Sequence, residues 1–223
     1  MSSEMVRATL EGRKTKTRRI ATDLGILEIL AQYGITKDIE SFCPYGTVGE
    51  KLWVRESHQL YINYDYESHK VIQAYVKFEH QEGFYCWDAD KISFTTIMKL
   101  HERIPAFNNW KSCPSIHLYE FFARLQLNIK SVRVEKLNDI SEEDAIQEGT
   151  GGTIANLGWI NYKNPAMYLK HDKIYDGMPA AVMSFASLWE SIHGNDSWEE
   201  NPYVWVIEYD WELIEKEVQS DPT

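Results

Sequence analysis

The chain has 223 residues and a formal net charge of −11, with 43% hydrophobic and 26% charged residues. This is the composition of a globular protein long enough to bury a core without staples. It excludes a general nucleic-acid coat, which needs a broad basic face.

In chain order, Ser3 is the expected N-cap of a short helix carrying Met5, Val6 and Leu10, with Gly12 as its stop. Residues 42–49 read as a turn-rich approach to a strand over 50–57, with Leu52 and Val54 on one face. Residues 58–110 mix aromatic strand-like pieces with polar breaks and read as an insertion holding a hairpin or two. Residues 123–137 form a long strand whose alternation changes phase near Lys130, the mark of a kink or bulge. A helix then follows, capped by Asp139 or Ser141, favoured by Glu142 and Glu143 in its first turn, and ended by Gly149. Residues 150–178 read as loop. An amphipathic helix carries Val182, Phe185, Leu188, Trp189 and Ile192 and ends at Gly194, before a last strand with Val204 and Val206 inward. The pattern predicts an α+β fold: a small, mostly antiparallel β-barrel with helices at its rim, in a single domain over 1–223 with the insertion at about 58–110.

No apolar run reaches membrane-spanning length and no signal peptide opens the chain, so the expectation is a soluble, cytoplasmic protein. Cys43, Cys86 and Cys113 fit neither a disulfide framework nor a CxxC zinc site. Free thiols are the expectation, against a metal cluster with His58 or His117. No metal or cofactor is called for.

The acidic chain concentrates five basic residues in Arg13, Lys14, Lys16, Arg18 and Arg19. Positive neighbours disfavour a protonated amine, so this setting lowers the pKa of Lys14 and suits it to act as a general base. Thr17 is three positions on. In an ideal strand the two would point to opposite faces, so cooperation needs a turn, which Gly12 allows. The competing reading is a surface strand with solvated basic side chains. Glu148 ends its helix against the dipole, which calls for a nearby cation; a frayed, exposed glutamate is the alternative. Arg55, Glu56 and His117 are further candidates for a pocket, and Trp53 and Trp205 for the core.

The stretch "GRKTKTRR" resembles the Gly-x-Lys-x-x-Thr-x-Arg signature of ASCH domains, relatives of the PUA RNA-binding fold. Further pieces resemble the long ASCH proteins often encoded by bacteriophages: "CPYGTVGEKLWVRE", "PSIH", "VRVEKLNDISEEDAIQEG", "FASLWESIHG" and "NPYVWVIEY", in family order. The family fold is a small β-barrel with helices packed at its mouth. Its small bacterial members deacylate N4-acetylcytidine, and the resemblance implies Thr17 as nucleophile, Lys14 as its base and Glu148 as the group that polarises the lysine. Arg19 matches the motif's arginine. Arg13, Arg18, Arg19, Arg55, Glu56 and His117 are then the expected substrate-binding set. Long members usually begin with a strand before the first helix, so the expectation is either that an edge strand is missing here or that the start codon is misplaced. They also tend to read "MPRWASR" where this chain has "LYEFFAR" after "PSIH". Three partners follow as expectations: a modified nucleoside turned over by an amidohydrolase, RNA or a modified nucleotide held without catalysis, and a host protein bound by a phage accessory factor through the aromatic insertion.

Overall fold

A computed structural model of the chain describes residues 2–22, 39–79, 83–93, 96, 99, 108–150, 159–163, 168–169, 174–175, 177–214 and 218–219. In order these form α1 (Ser3–Leu10), β1 (Lys16–Ile20), β2 (Lys51–Trp53), β3 (His58–Asp65), β4 (Lys70–Phe78), β5 (Phe84–Asp88), β6 (Lys111–Cys113) and β7 (Leu125–Lys136). Then come α2 (Glu142–Gln147), β8 (Trp159–Ile160), β9 (Tyr168–Leu169), β10 (Ile174–Tyr175), β11 (Met178–Pro179), α3 (Ala180–His193), β12 (Tyr203–Leu213) and β13 (Val218–Gln219). They fall into two compact units, one of Met1–Arg7, Trp53–Gln126 and Leu213–Thr223, the other of Ala8–Leu52 and Leu127–Glu212.

The first unit is built on a five-stranded sheet in the order β13-β5-β4-β3-β6. The β3–β4 pair is antiparallel, with Leu60 opposite Val76 and Ile62 opposite Ala74. Strand alternation sends these four side chains to one face, where they pack with Phe78, Tyr85, Leu118 and Phe122. Each large side chain so buried contributes roughly 1.5–3 kcal/mol. The stretch read as an insertion, 58–110, thus supplies β3, β4 and β5 of a sheet with its own core. Of it, residues 80–82 and most of 94–107 lie outside the described residues.

The second unit carries a four-stranded sheet in the order β1-β12-β7-β2. The β1–β12 pair is antiparallel, with Thr17 opposite Ile207 and Arg18 opposite Val206. Val204 and Val206 face α2 and α3, where Ala145, Val182, Phe185 and Trp189 close one core. Trp205 and Ile207 face the other way, onto Ile129 and Val132. The fold is α+β with antiparallel sheets and few helices, as the sequence predicts. Among the described residues this sheet is open, with β1 and β2 at its edges. The strand expected over 50–57 is cut short at Trp53, and from His58 the chain pairs with β4 instead.

Capping differs from expectation by one residue in α1: Ser2, not Ser3, accepts the Met5 N–H, at 3.4 Å. In α2 the cap is Ser141, whose Oγ accepts the Asp144 N–H at 3.1 Å. β7 runs unbroken through Lys130, but its buried positions switch from Leu125, Leu127 and Ile129 to Val132, the expected change of phase. The stretch 150–178 was expected as loop. Its described residues include the two-residue pairs β8–β9 and β10–β11.

Candidate functional site

Backbone bonds bring the start of β1 to the end of α2. After α1 the chain turns at Gly12, which has φ +72°, and the Lys14 N–H returns to Ala8 O at 3.0 Å. Lys14 then forms an isolated antiparallel bridge with Glu148, and the Thr15 N–H donates to Gln147 O at 2.9 Å. Gly149 makes this approach possible. A Cβ there would lie 2.7 Å from Lys14 Cβ and 3.1 Å from Ala8 Cβ, and the residue has φ +78°. No side chain fits that space, and only glycine adopts that backbone without strain.

Lys14 and Glu148 are each 4% exposed. Lys14 Nζ donates to Lys16 O at 2.7 Å, to Glu148 O at 2.7 Å and to Glu148 Oε2 at 2.9 Å. The three donors of an ammonium are therefore matched one to one. Burial pulls the Lys14 pKa below the usual lysine value. The Glu148 carboxylate resists that shift, and the charges of Arg19 and Arg18 add to it. The basic neighbourhood thus acts in the expected direction, but burial is the larger cause.

Glu148 is shared. Its Oε1 accepts from Arg18 Nη1 at 3.0 Å. Arg18, with its side chain wholly buried, also donates from Nη2 to Glu135 Oε1 at 2.6 Å and to Asp144 Oδ2 at 2.7 Å. Lys16 Nζ meets Asp144 Oδ1 at 2.6 Å, and Arg133 pairs with both Asp144 and Glu135. Burial works against the Arg18 charge, yet Glu148, Glu135 and Asp144 outweigh it and raise its pKa. Burial likewise opposes ionised Asp144, but Lys16, Arg18 and Arg133 hold its carboxyl down at about 2.

Thr17 is buried but faces the other way. Lys16 and Arg18 flank it and both reach Asp144, so strand alternation puts Thr17 on the opposite face of β1. No hydrogen bond joins its hydroxyl to Lys14 or Glu148 among the described residues. Arg19 shares the Thr17 face and is exposed, and its charge is felt by Lys14, Tyr209 and His193. Tyr209 comes alongside because its N–H donates to Thr15 O at 2.9 Å. Burial pushes the Tyr209 phenol up, with the Glu148 charge adding to the rise.

The structure therefore brings Lys14, Arg18 and Glu148 together and leaves the other candidates apart from their network. Arg13 is exposed and pairs with Glu11 at 2.6 Å. Arg55, Glu56 and His117 belong to the first unit. Arg55 lies over the Trp53 ring at 4.8 Å, Glu56 is buried against Arg124 at 2.8 Å, and His117 is exposed in a 3-10 turn. Sequence reasoning missed Asp144, Glu135 and Arg133. One signal was present: Asp144 and Glu148 are four apart at the end of a helix, the spacing that puts two side chains on one face. Cys43, Cys86 and Cys113 are free thiols, and no set of metal-ligating side chains forms among the described residues. No helix among them is long and apolar enough to cross a membrane.

Comparison of the chain with protein-family models, curated proteins and solved structures found no match.

Proposed function

We propose that this protein is an ASCH-type amidohydrolase of PUA-like fold that removes the acyl group from an N4-acylated cytosine nucleoside. One observation carries the reading: the buried Lys14 amine, its pKa lowered, is held against the Glu148 carboxylate at 2.9 Å. A lysine that loses its proton readily is a competent general base. Glu148, fixed from its other oxygen by Arg18, orients that amine.

The chemistry runs in two halves. Thr17 Oγ attacks the acyl carbon while its proton passes to the neutral Lys14 amine. The carbon–N4 bond then breaks, Lys14 returns the proton to N4, and the free cytosine amine leaves an acyl ester on Thr17. Water attacks that ester, its proton again passing through Lys14 to the threonine oxygen, and the carboxylic acid departs. Arg19, the exposed cation on the Thr17 face, balances the oxyanion formed in each half. At rest Thr17 lies on the face of β1 opposite Lys16 and Arg18 and is not bonded to Lys14, so a water carries each proton between them.

The pairing of the basic stretch favours a small substrate over RNA. Arg13, Lys14, Lys16 and Arg18 each face a carboxylate, so little of their charge is left for phosphates. The test is turnover of N4-acetylcytidine and longer N4-acyl cytidines by the purified chain. Thr17→Val, which removes only the hydroxyl, should lower kcat about 100-fold or more with the fold intact. Wild-type protein without turnover, or Thr17→Val with full turnover, would remove the proposal.

A further inference from the structure

Four of the five clustered basic residues are paired with carboxylates. Arg13 meets Glu11, Lys14 meets Glu148, Lys16 meets Asp144, and Arg18 meets Glu135, Asp144 and Glu148. Arg19 is the exception. It is exposed and makes no ion pair among the described residues.

The register of β1 fixes where that cation stands. Thr17 lies opposite Ile207 and Arg19 opposite Trp205, so both side chains leave one face of the β1–β12 pair. Lys16 and Arg18 leave the other face, towards Asp144. Two residues of strand place the Thr17 and Arg19 Cα atoms roughly 7 Å apart. A guanidinium on a flexible side chain at that spacing reaches a group carried close to the carbon that Thr17 attacks.

The field of this cation reaches its neighbours. Burial lowers the pKa of His193, and the Arg19 charge lowers it further. The same charge acts on Lys14, after burial and against Glu148. Elsewhere the molecule is acidic. A net charge of −11 repels an anion approaching from solution, so an anionic substrate needs a cation within a Debye length, about 8 Å, of where it binds. Arg19 supplies one on the face of the reacting hydroxyl. Its planar fork matches the paired oxygens of a phosphate or a carboxylate.

We propose that the substrate of the Thr17 site carries an anionic group, phosphate or carboxylate, that Arg19 holds beside the scissile amide. The inference rests on the amidohydrolase reading and narrows its substrate. Two sources would supply such a group: the 5′-phosphate of a nucleoside monophosphate, and the free carboxylate of a dicarboxylic acyl chain.

The test compares kcat/KM of the full-length chain for N4-acetylcytidine, its 5′-monophosphate and N4-succinylcytidine. At least one anionic substrate should exceed N4-acetylcytidine about tenfold or more, and the one that does identifies the source. Arg19 also faces the oxyanion, so Arg19→Gln lowers every rate. The readout is therefore the ratio of anionic to neutral substrate, which Arg19→Gln should bring to about one. Lys51→Gln makes the same change of charge at an exposed residue paired with Glu212 and should leave the ratio as in wild type. The proposal is overturned if neither anionic substrate is preferred, or if the preference survives Arg19→Gln. A charge that only guards the open edge of β1 against pairing gives the first of these results. Turnover of N4-acetylcytidine with no preference contradicts this inference alone, whereas turnover of none of the three contradicts the amidohydrolase reading with it.

Discussion

Glu148 stands between Lys14 at 2.9 Å and Arg18 at 3.0 Å with almost no access to water. Removing one member of a buried ion set leaves its partners charged and unpaired, which costs far more than the pair contributes. Glu148→Gln is expected to lower stability by about 3 kcal/mol in urea unfolding; a loss under about 1 kcal/mol would mean that water already screens the site. Asp144 makes a prediction with a definite sign. Its folded pKa of about 2 lies below the ordinary 3.8, so its ionised form contributes stability above pH 3.8 that is lost as pH falls through about 2. The difference between 3.8 and about 2 converts to about 2.4 kcal/mol, which solvent screening at this partly open carboxyl lowers to about 1–2 kcal/mol. The stability gap between wild type and Asp144→Asn should be full at pH 6 and shrink towards pH 2; a gap that does not change with pH would contradict it. At this scale the sequence was legible in part. The basic run gave the direction of the Lys14 shift, but its larger cause, burial, could not be read there. The residues opposite it could not be read from the run, because Glu135 on β7 and Asp144 on α2 come from distant parts of the chain.

The turn after α2 is where element geometry and site meet. Gly149→Ala puts a Cβ 2.7 Å from Lys14 Cβ at φ +78°. Either the helix end or the start of β1 must move. We expect a stability loss of about 2 kcal/mol or more and a lowered kcat, measured together by unfolding and turnover. An unaltered variant would show that the approach of α2 to β1 is looser than the bonds between them imply. In the first unit, Arg124→Met should cost about 3–5 kcal/mol by stranding the Glu56 carboxylate, read by urea unfolding; a near-neutral effect would mean the pair is solvated. The helices were well legible in the sequence, because caps and stops are local: Ser141 and Gly149 bound α2, and Gly194 ends α3 at φ +101°. The strand expected over 50–57 was not. Alternation in Leu52 and Val54 persists past Trp53, where one further bond, from the Val54 N–H to Leu125 O at 2.9 Å, is the last that the stretch makes to β7 before the chain turns to β4 at His58.

For the whole molecule, composition gave the class and little more. Antiparallel sheets and few helices follow from the aromatic and β-branched strands. That residues 58–110 join a second sheet with its own core depends on pairings such as Tyr61 with Tyr75, which no local signal fixes. The charge of −11, with most of the basic stretch neutralised by carboxylates, predicts weak retention of single-stranded RNA near physiological salt. Tight binding that falls steeply with added salt, measured by filter retention, would favour the RNA reading instead. The central claim is that Lys14, poised by burial and Glu148, drives deacylation. It is tested most directly by the pH profile of kcat/KM for N4-acetylcytidine. Wild type should turn the substrate over, with a rising limb set by an apparent pKa below the usual lysine value, and Lys14→Met should lose turnover about 100-fold or more while keeping its far-UV circular dichroism. Turnover by a folded Lys14→Met at the wild-type rate, or none by wild type at any pH, would contradict the account.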